Sequence, residues 1–204
     1  MTVLRAPVLA VAAVTLTLGG CGYNTIPTQH EAAKEAWANV EAQYQRRADL
    51  IPNLVATVQA SAIAERETLT QVIDARSRAT SIQLDADALS DPAAVARYQA
   101  AQGELSQALS RLMLVVERYP EVRSTASFIA LQSELEGTEN RIAVARRDYN
   151  EAARVYNTTL RTFPGNIWAS TFHSGSEPLP LFSAAPGADA APQVQFNVGS
   201  TPAQ

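Results

Sequence analysis

The chain has 204 residues, of which 47% are apolar and only 6% aromatic, with a net charge of −4 and one cysteine. The modest acidic charge argues against nucleic-acid binding, and a single cysteine excludes an internal disulfide. The residues that recur through the middle of the chain are Ala, Glu, Gln, Arg and Leu. Because these are strong helix formers, we expect an all-α protein.

The N-terminal residues have the pattern of a secretion signal. Arg5 is followed by the apolar run APVLAVAAVTLTLGG, which is shorter than the roughly 20 residues that span a bilayer. The run ends in the sequence LGGC, which resembles a bacterial lipobox. In lipoproteins of that kind the cysteine sulfur receives a diacylglyceryl group and the signal is cut just before it. We therefore predict a signal peptide over residues 1–20, lipidation at Cys21 and a linker over residues 21–27.

The alternative for this segment is an uncut membrane helix. Either arrangement attaches the protein to the cell membrane and places its body on the periplasmic, extracytoplasmic side. Whether that membrane is the inner or the outer one stays open.

Residues 28–163 are predicted to form an elongated antiparallel bundle of three long helices. The first is expected over about residues 28–83, with Thr28 as its N-cap, because apolar residues recur there at spacings of three and four. Pro52 lies inside this run and is expected to kink it; a full break there would make four helices.

The second helix is predicted for about residues 92–119 and the third for about residues 122–163. Ser90, Asp91 and Pro92 combine a cap with a proline at the first turn, and Pro120 ends the segment. The third helix has an almost unbroken apolar seam from Phe128 to Phe163. Three long passes would leave the C-terminus at the end away from the membrane.

Two polar clusters lie within these helices, and each has two interpretations. Arg46, Arg47 and Asp49 precede Pro52, and Asn140 and Arg141 lie in the third helix. They could form a recognition surface for an acidic partner or a lipid headgroup. Alternatively they pair helices, and an asparagine donates a hydrogen bond to the carbonyl that the proline leaves free; this second interpretation is the one we favour.

That donor is expected to be either Asn53 or Asn140. Four tyrosines could be taken for a binding stripe, but their helical spacing favours core positions. They are Tyr44, Tyr98, Tyr149 and Tyr156.

No motif in the sequence indicates catalysis. The histidines are His30 and His173, and neither has partners at a metal-ligand spacing, so no metal and no cofactor are expected. The sequence lacks a nucleophile elbow and a phosphate-binding loop. We therefore expect a protein that is not an enzyme.

Residues 164–204 are rich in Pro, Gly, Ala and Ser and are predicted to be a flexible tail. Two apolar islands, PLPLF and VQFNV, interrupt it. They could lie in a groove of the bundle or could be segments that become ordered on binding a partner. Both interpretations stay open.

The chain resembles the LemA family over about residues 22–197. The resemblance rests on YNTI, AWANVEAQYQRRADLIPNLVATVQ, TLTQVIDAR, RYPEVRSTASFIALQSELEGTENRIAVARRDYNEAARVYNTTLRTFP and a tail like PLFSAAPGADAAPQVQF. It implies a membrane-anchored helical-bundle protein without a settled catalytic activity. Some members are encoded near membrane zinc metalloproteases, which suggests partners in envelope quality control. Many relatives keep an uncut membrane helix, whereas this chain has a lipobox-like Cys21.

The function expected from these features is that of an anchored interaction or scaffold protein of the cell envelope. Its partners are the membrane and unidentified proteins, with self-association left open by the long apolar seam. The alternative is a carrier that holds an apolar ligand or lipid between its helices.

Overall fold

The computed structural model describes residues 22–60 and 66–183, and all regular structure in these residues is helical. The all-α prediction is therefore confirmed. The six α-helices in the described residues are α1 (Thr25–Ala60), α2 (Arg66–Ser81), α3 (Pro92–Val116), α4 (Pro120–Arg123), α5 (Ala126–Arg161) and α6 (Gly165–Thr171), with a 3-10 turn at Ala86–Ser90.

Helix α2 folds back against α1. The Arg76 side chain in α2 donates a 2.7 Å hydrogen bond to the Ala48 carbonyl oxygen in α1. In one continuous helix these two residues would be about 42 Å apart. The chain therefore reverses direction between Ala60 and Arg66, and the two helices run antiparallel.

The other long helices continue this alternation. Arg78 in α2 pairs with Glu104 in α3, so these helices are also antiparallel neighbours. The α5 helix packs along α1 in the opposite direction, with contacts that pair the start of one with the end of the other. Four passes bring the end of α5 back to the N-terminal end of α1. The expectation that the C-terminal tail begins at the opposite end of the bundle is therefore wrong.

The predicted single helix over residues 28–83 is thus two helices. The expected continuity of the helix through Pro52 is confirmed, whereas the alternative of a full break at that residue is wrong. Pro52 lies inside α1, which continues to Ala60. The apolar periodicity predicted one helix because α1 and α2 each bury one apolar face. The residues between Val58 and Leu69 also contain no Gly or Pro that would indicate a helix end. Alanine, glutamate and arginine in that stretch favour helix locally, although tertiary packing requires a reversal.

Arg76 also supplies the hydrogen-bond donor that is missing in α1 because of Pro52. A proline in a helix has no N–H for the carbonyl four residues earlier, which here belongs to Ala48. The Arg76 bond occupies that carbonyl. The prediction that Asn53 or Asn140 would supply the donor is therefore wrong: the donor comes from α2 and not from the neighbouring turn or from α5.

A double-mutant cycle should measure this compensation. Arg76→Leu alone is expected to lower the free energy of unfolding by about 1–2 kcal/mol, because the Ala48 carbonyl loses its donor. In a Pro52→Ala background the restored N–H can reach that carbonyl, so the same substitution should have a smaller effect. Urea unfolding followed by circular dichroism gives all four values.

Arg78→Leu is the matched control, since Arg78 lies on the same helix but forms an exposed ion pair, and such pairs contribute little. Equal effects of Arg76→Leu in both backgrounds would show that Arg76 does not serve the proline-freed carbonyl.

The helix ends follow the predicted capping chemistry in part. The Asp91 carboxylate accepts a hydrogen bond from the Ala93 amide and Pro92 occupies the first turn of α3, as predicted. Thr28 is not an N-cap, because α1 begins at Thr25. Thr125 caps α5, which begins at Ala126, and the first residues of the predicted third helix belong instead to the separate short helix α4.

The buried apolar side chains form two clusters along the bundle. One includes Ile51 to Val58 of α1 and lies toward the reversal between α1 and α2; the other includes Ile26 to Tyr44 and lies toward the N-terminal end. All four tyrosines predicted for the core are buried. Phe163, the last residue of the predicted seam, is 80% exposed because α5 ends at Arg161.

Candidate interaction site

A polar layer separates the two apolar clusters, and Arg47 lies at its centre. The Arg47 side chain is 1% exposed, and it is the one buried charged residue in the part of the chain that the structure describes. A buried guanidinium loses its hydration and must recover it through hydrogen bonds and a counter-charge. The members of the layer are Arg47, Gln102, Ser106, Thr138 and Glu139.

The guanidinium joins three helices at once. Its Nη1 donates to Ser106 Oγ of α3 and to Glu139 Oε1 of α5, both at 2.8 Å. Its Nη2 donates to the Gln102 carbonyl oxygen at 3.2 Å and to Gln102 Oε1 at 2.7 Å. Gln102 in turn donates to the Ala79 carbonyl of α2 at 3.2 Å. The network therefore ties the four longest described helices together at one level.

The charge of Arg47 is compensated from two sides. Glu139 supplies the opposite charge, and its own side chain is 46% exposed. The guanidinium carbon also lies 5.0 Å from the centre of the Tyr44 ring, a cation–π distance. Burial raises the pKa of Tyr44 above its usual value, so the phenol stays neutral beside the cation at physiological pH.

The predicted site residues separate into buried and exposed ones. Arg47 belongs to the interior, so the interhelical interpretation holds for it and it cannot be offered to an acidic partner. Arg46, Asp49, Asn140 and Arg141 are exposed. Asp49 accepts a 2.7 Å hydrogen bond from Gln45 on its own helix.

Two open grooves lie beside α5, and Asn140 lines both of them. The groove between α1 and α5 has a volume of about 390 Å³ and is also lined by Asn39, Gln43 and Arg141. The groove between α3 and α5 has a volume of about 660 Å³ and includes Leu109, Met113 and Leu135. The exposed predicted residues on α5 thus line surface grooves.

Residues 179–183, which we call the docked segment, pack on α5 and α1. Asn157 exchanges two hydrogen bonds with the backbone of Leu179, at 2.7 and 2.8 Å. Asn150 does the same with Phe182, at 2.9 and 2.8 Å. Seven helical residues and three extended residues both span about 10 Å, so the spacing of the two asparagines matches the spacing of the backbone groups they bind.

Apolar packing completes this attachment. Leu179 is 2% and Phe182 is 6% exposed. The Phe182 ring stacks on Trp37 of α1, with ring centres 5.5 Å apart, and the Arg146 guanidinium lies 4.8 Å above the centre of the Phe182 ring. The docked segment therefore bridges the two helices and forms part of the core.

For the first apolar island of the tail, these contacts distinguish between the two interpretations. The PLPLF island, whose last four residues belong to the docked segment, lies in a groove of the bundle. The prediction of a flexible tail is wrong for residues 164–183, which include α6. The VQFNV island and the rest of residues 184–204 lie outside the described residues, so their prediction stays as it was.

The Tyr149 hydroxyl gives the docked segment a pH dependence. It donates a 3.0 Å hydrogen bond to the Pro180 carbonyl, and burial raises the pKa of Tyr149 to about 12. Because the unfolded pKa is about 10, this stabilisation is fully present below pH about 10 and is lost as pH rises toward about 12. Urea midpoints across that window should fall less steeply for Tyr149→Phe than for the wild type.

Some loss will remain in the variant, because burial also raises the pKa of Tyr98 and Tyr44. Identical slopes for the two proteins would contradict the assignment of a raised pKa to Tyr149.

The predicted lipidation site directly precedes Gly22, the first residue that the structure describes. Cys21 and the predicted signal over residues 1–20 lie outside the described residues. Gly22 and Tyr23, which follow directly, contact α6: the Tyr23 ring lies 6.0 Å from that of Trp168 and 5.8 Å from that of Phe172. None of the helices in residues 22–60 and 66–183 combines the length and apolar composition needed to cross a bilayer.

The side chains that commonly bind metals are dispersed in the part of the chain that is described. Within it, no set of three or more His, Cys, Asp or Glu side chains comes together to hold a metal ion. His30 stacks on Tyr156 with ring centres 5.2 Å apart. His173 Nε2 lies 3.2 Å from the Tyr23 carbonyl oxygen at the N-terminal end. Both histidines thus have contacts that hold the bundle together.

The fold and the polar layer define an all-α bundle protein whose buried arginine ties its long helices together. The LemA family model matches residues 36–196, so this chain belongs to the LemA family.

Three magnetosome proteins from two organisms are similar to this protein along most of the chain. Magnetosome protein MamQ 2 of Paramagnetospirillum magneticum is 31% identical in an alignment that covers 89% of this chain and 72% of the relative. Magnetosome protein MamQ 1 of the same organism has the same values. Magnetosome protein MamQ of Magnetospirillum gryphiswaldense is 28% identical in an alignment that covers 82% of this chain and 66% of that relative.

Sequence reasoning missed three residues that determine the site. Arg76 has no local signal, because its partner carbonyl is 28 positions away. Asn150 and Asn157 do have a local signal in the sequence. Asparagine is a poor helix former, yet both residues lie inside a long helix. They are seven residues apart, and each follows a buried tyrosine. That combination is the pattern of side chains that bind another segment of backbone.

Proposed function

We propose that this protein is a membrane-anchored interaction protein of the cell envelope that works through its helical surface and performs no catalysis. Its body would lie on the extracytoplasmic side and be attached through a lipid on Cys21. The anchor would hold an elongated bundle, roughly 54 Å long at 1.5 Å per residue for α1, at a fixed place on the membrane.

One observation carries this proposal: the buried and partly buried polar groups hold elements of the fold together. Arg47, Gln102, Asn150 and Asn157 all form hydrogen bonds between elements of the fold. The polar residues that remain exposed, among them Asn140 and Arg141, line open grooves. Such an arrangement suits a rigid surface that other molecules contact. The relatives are named for a cellular structure and not for a reaction, which also favours an assembly role.

The anchor can be tested by metabolic labelling with an alkyne palmitate. The wild type should become labelled and Cys21→Ser should not. If labelling of both proteins is equal, the thiol is not the attachment point, and the uncut membrane helix becomes the better explanation of the N-terminal segment.

The interaction surface can be tested by site-specific photo-crosslinking in intact cells. A photoreactive residue at Arg141, in the groove between α1 and α5, should form adducts with a protein of the envelope. The partner class that the family resemblance suggests is the quality-control machinery. The matched control is Gln107, an exposed position beside α2 and α3 on another groove. Equal amounts of adduct at both positions, or no adduct at either, would show that the groove between α1 and α5 is not the interaction surface.

The second candidate function is carriage of an apolar ligand, and the groove between α3 and α5 favours it. Leu109, Met113 and Leu135 supply apolar lining, although Ser110, Gln132 and Glu136 make its rim polar. A carrier would show copurified lipid in native mass spectra beyond the adduct on Cys21. Leu109→Gln should then remove that lipid while leaving the Cys21 adduct in place.

A further inference from the structure

The N-terminal end of the bundle exposes a group of aromatic and aliphatic side chains. Phe163 is 80%, Phe172 is 64%, Ile167 is 49% and Tyr23 is 45% exposed. Trp168 is half-buried among them, with its ring 5.6 Å from that of Phe172. We call these five residues the aromatic end. Apolar side chains gathered at one place on a protein surface indicate a contact with a membrane or another molecule.

The chain around the aromatic end carries no formal charge. Residues 22–30 and 162–176 contain no Asp, Glu, Lys or Arg, whereas all charged residues other than Arg5, Glu177 and Asp189 lie between Glu31 and Arg161. Transfer of a charge toward hydrocarbon costs several kcal/mol. The apolar side chains in these two segments can therefore approach a bilayer without moving a charge of their own segments toward hydrocarbon.

The packing at this end holds α6 in one position. A Cβ placed on Gly22 would lie 2.7 Å from Trp168 Nε1, and one placed on Gly165 would collide with the Thr159 carbonyl oxygen of α5. Both glycines therefore permit close approach that a larger residue would prevent. The aromatic end is a fixed part of the bundle, tied to the first residues after Cys21.

We propose that the aromatic end lies in the headgroup region of the bilayer and forms a second membrane contact beside the lipid on Cys21. This rests on the proposed function, which places that anchor in the membrane. Tyr23 is two residues after Cys21, at most about 7.6 Å of chain. Tryptophan and tyrosine favour the boundary between hydrocarbon and water, because their rings are apolar and their N–H and O–H groups bind polar neighbours.

The second membrane contact would fix the orientation of the bundle, which a lipid anchor alone does not. Acyl chains alone attach a protein but let it turn about a flexible link, and stable membrane binding generally takes two signals. With α6 seated in the interface, the bundle is held by two attachment points and its long axis points away from the bilayer. The grooves on α5 are then presented at a constant height above the membrane.

Fluorescence of the two tryptophans tests this proposal, since the chain contains only Trp37 and Trp168. The mature, lipid-modified protein is reconstituted into phosphatidylethanolamine and phosphatidylglycerol vesicles, with or without bromine atoms on the acyl chains near the headgroup. We expect the wild type to lose much of its emission on brominated lipid. Trp168→Phe should lose little, because Trp37 is 2% exposed inside the bundle.

Equal quenching of the wild type and Trp168→Phe would overturn the proposal. So would unquenched emission combined with crosslinking of two copies through a photoreactive residue at Phe172, since the aromatic end would then be an interface between copies. Palmitate labelling of the same samples separates the two ideas. Labelled protein without Trp168 quenching contradicts only the aromatic end, whereas unlabelled protein contradicts the anchor on Cys21.

Discussion

Replacing Arg47 by methionine is expected to lower the free energy of unfolding by about 3 kcal/mol. Methionine fills a similar volume but donates no hydrogen bond, so Gln102 Oε1 and Ser106 Oγ lose the donor that Arg47 provides inside the bundle. Glu139 loses less, because its side chain is 46% exposed and can be rehydrated. Urea unfolding followed by circular dichroism measures the change.

Two variants test whether the geometry of the guanidinium matters. Arg47→Lys keeps the charge but has only one nitrogen, so it cannot replace the Nη1 bonds to Ser106 and Glu139 and the Nη2 bonds to Gln102 together. It should therefore be destabilising as well. Glu139→Gln keeps an acceptor at the exposed edge of the network and should have the smallest effect of the three. Wild-type stability for Arg47→Met would mean that the polar layer contributes nothing to folding.

Replacing Phe182 by alanine is expected to lower the free energy of unfolding by about 3–4 kcal/mol, because it leaves a cavity against Trp37 and Tyr149. The adjacent Leu181→Ala is the matched control: Leu181 is 46% exposed and should change stability by less than about 1 kcal/mol. Trp37 emission provides a local readout, since its stacking partner is lost only in the first variant.

If the two alanine variants were equally stable, the docked segment would not belong to the core. An independent check removes its polar attachment and leaves the apolar one. In Asn150→Ala the Phe182 amide and carbonyl lose both of their side-chain partners. Proteolytic cleavage near Phe182 should then become faster while the helical content stays unchanged.

The parts of the fold that were predicted correctly depend on local chemistry. The Asp91 cap, the proline at the first turn of α3 and the buried tyrosines follow from hydrogen bonding and spacing within one helix. The apolar seam of α5 was predicted for the same reason, apart from its last residue. Each of these features can be read within one or two helical turns.

The parts that were missed depend on contacts between distant segments. The reversal between Ala60 and Arg66 has no breaking residue, and its cause is the packing of α2 against α1 and α3. The donor for the Ala48 carbonyl could not be assigned without knowing which helix lies opposite Pro52. For the same reason the PLPLF island could be assigned to a groove only when the position of Asn150 and Asn157 was known.

The candidate site shows the same division at the level of single residues. The Arg46–Arg47 pair looks uniform in the sequence, yet one residue is exposed and its neighbour is 1% exposed. Helical periodicity places Arg47 on the buried face of α1, with Tyr44 and Ile51, but a charged residue is not normally assigned to an apolar face. The partners that make this acceptable, Gln102 and Glu139, lie 55 and 92 positions further along the chain.

The direction in which the docked segment runs has a practical consequence. The Ser183 carbonyl accepts a hydrogen bond from Arg146, which lies 15 residues before the end of α5, or about 22 Å along the helix axis. Ser183 therefore lies on the flank of the bundle, less than halfway along α5 from its C-terminal end. Under the proposed membrane attachment, a reporter domain fused directly to Ser183 would start on that flank, and its distance from the lipid surface would measure the orientation of the bundle.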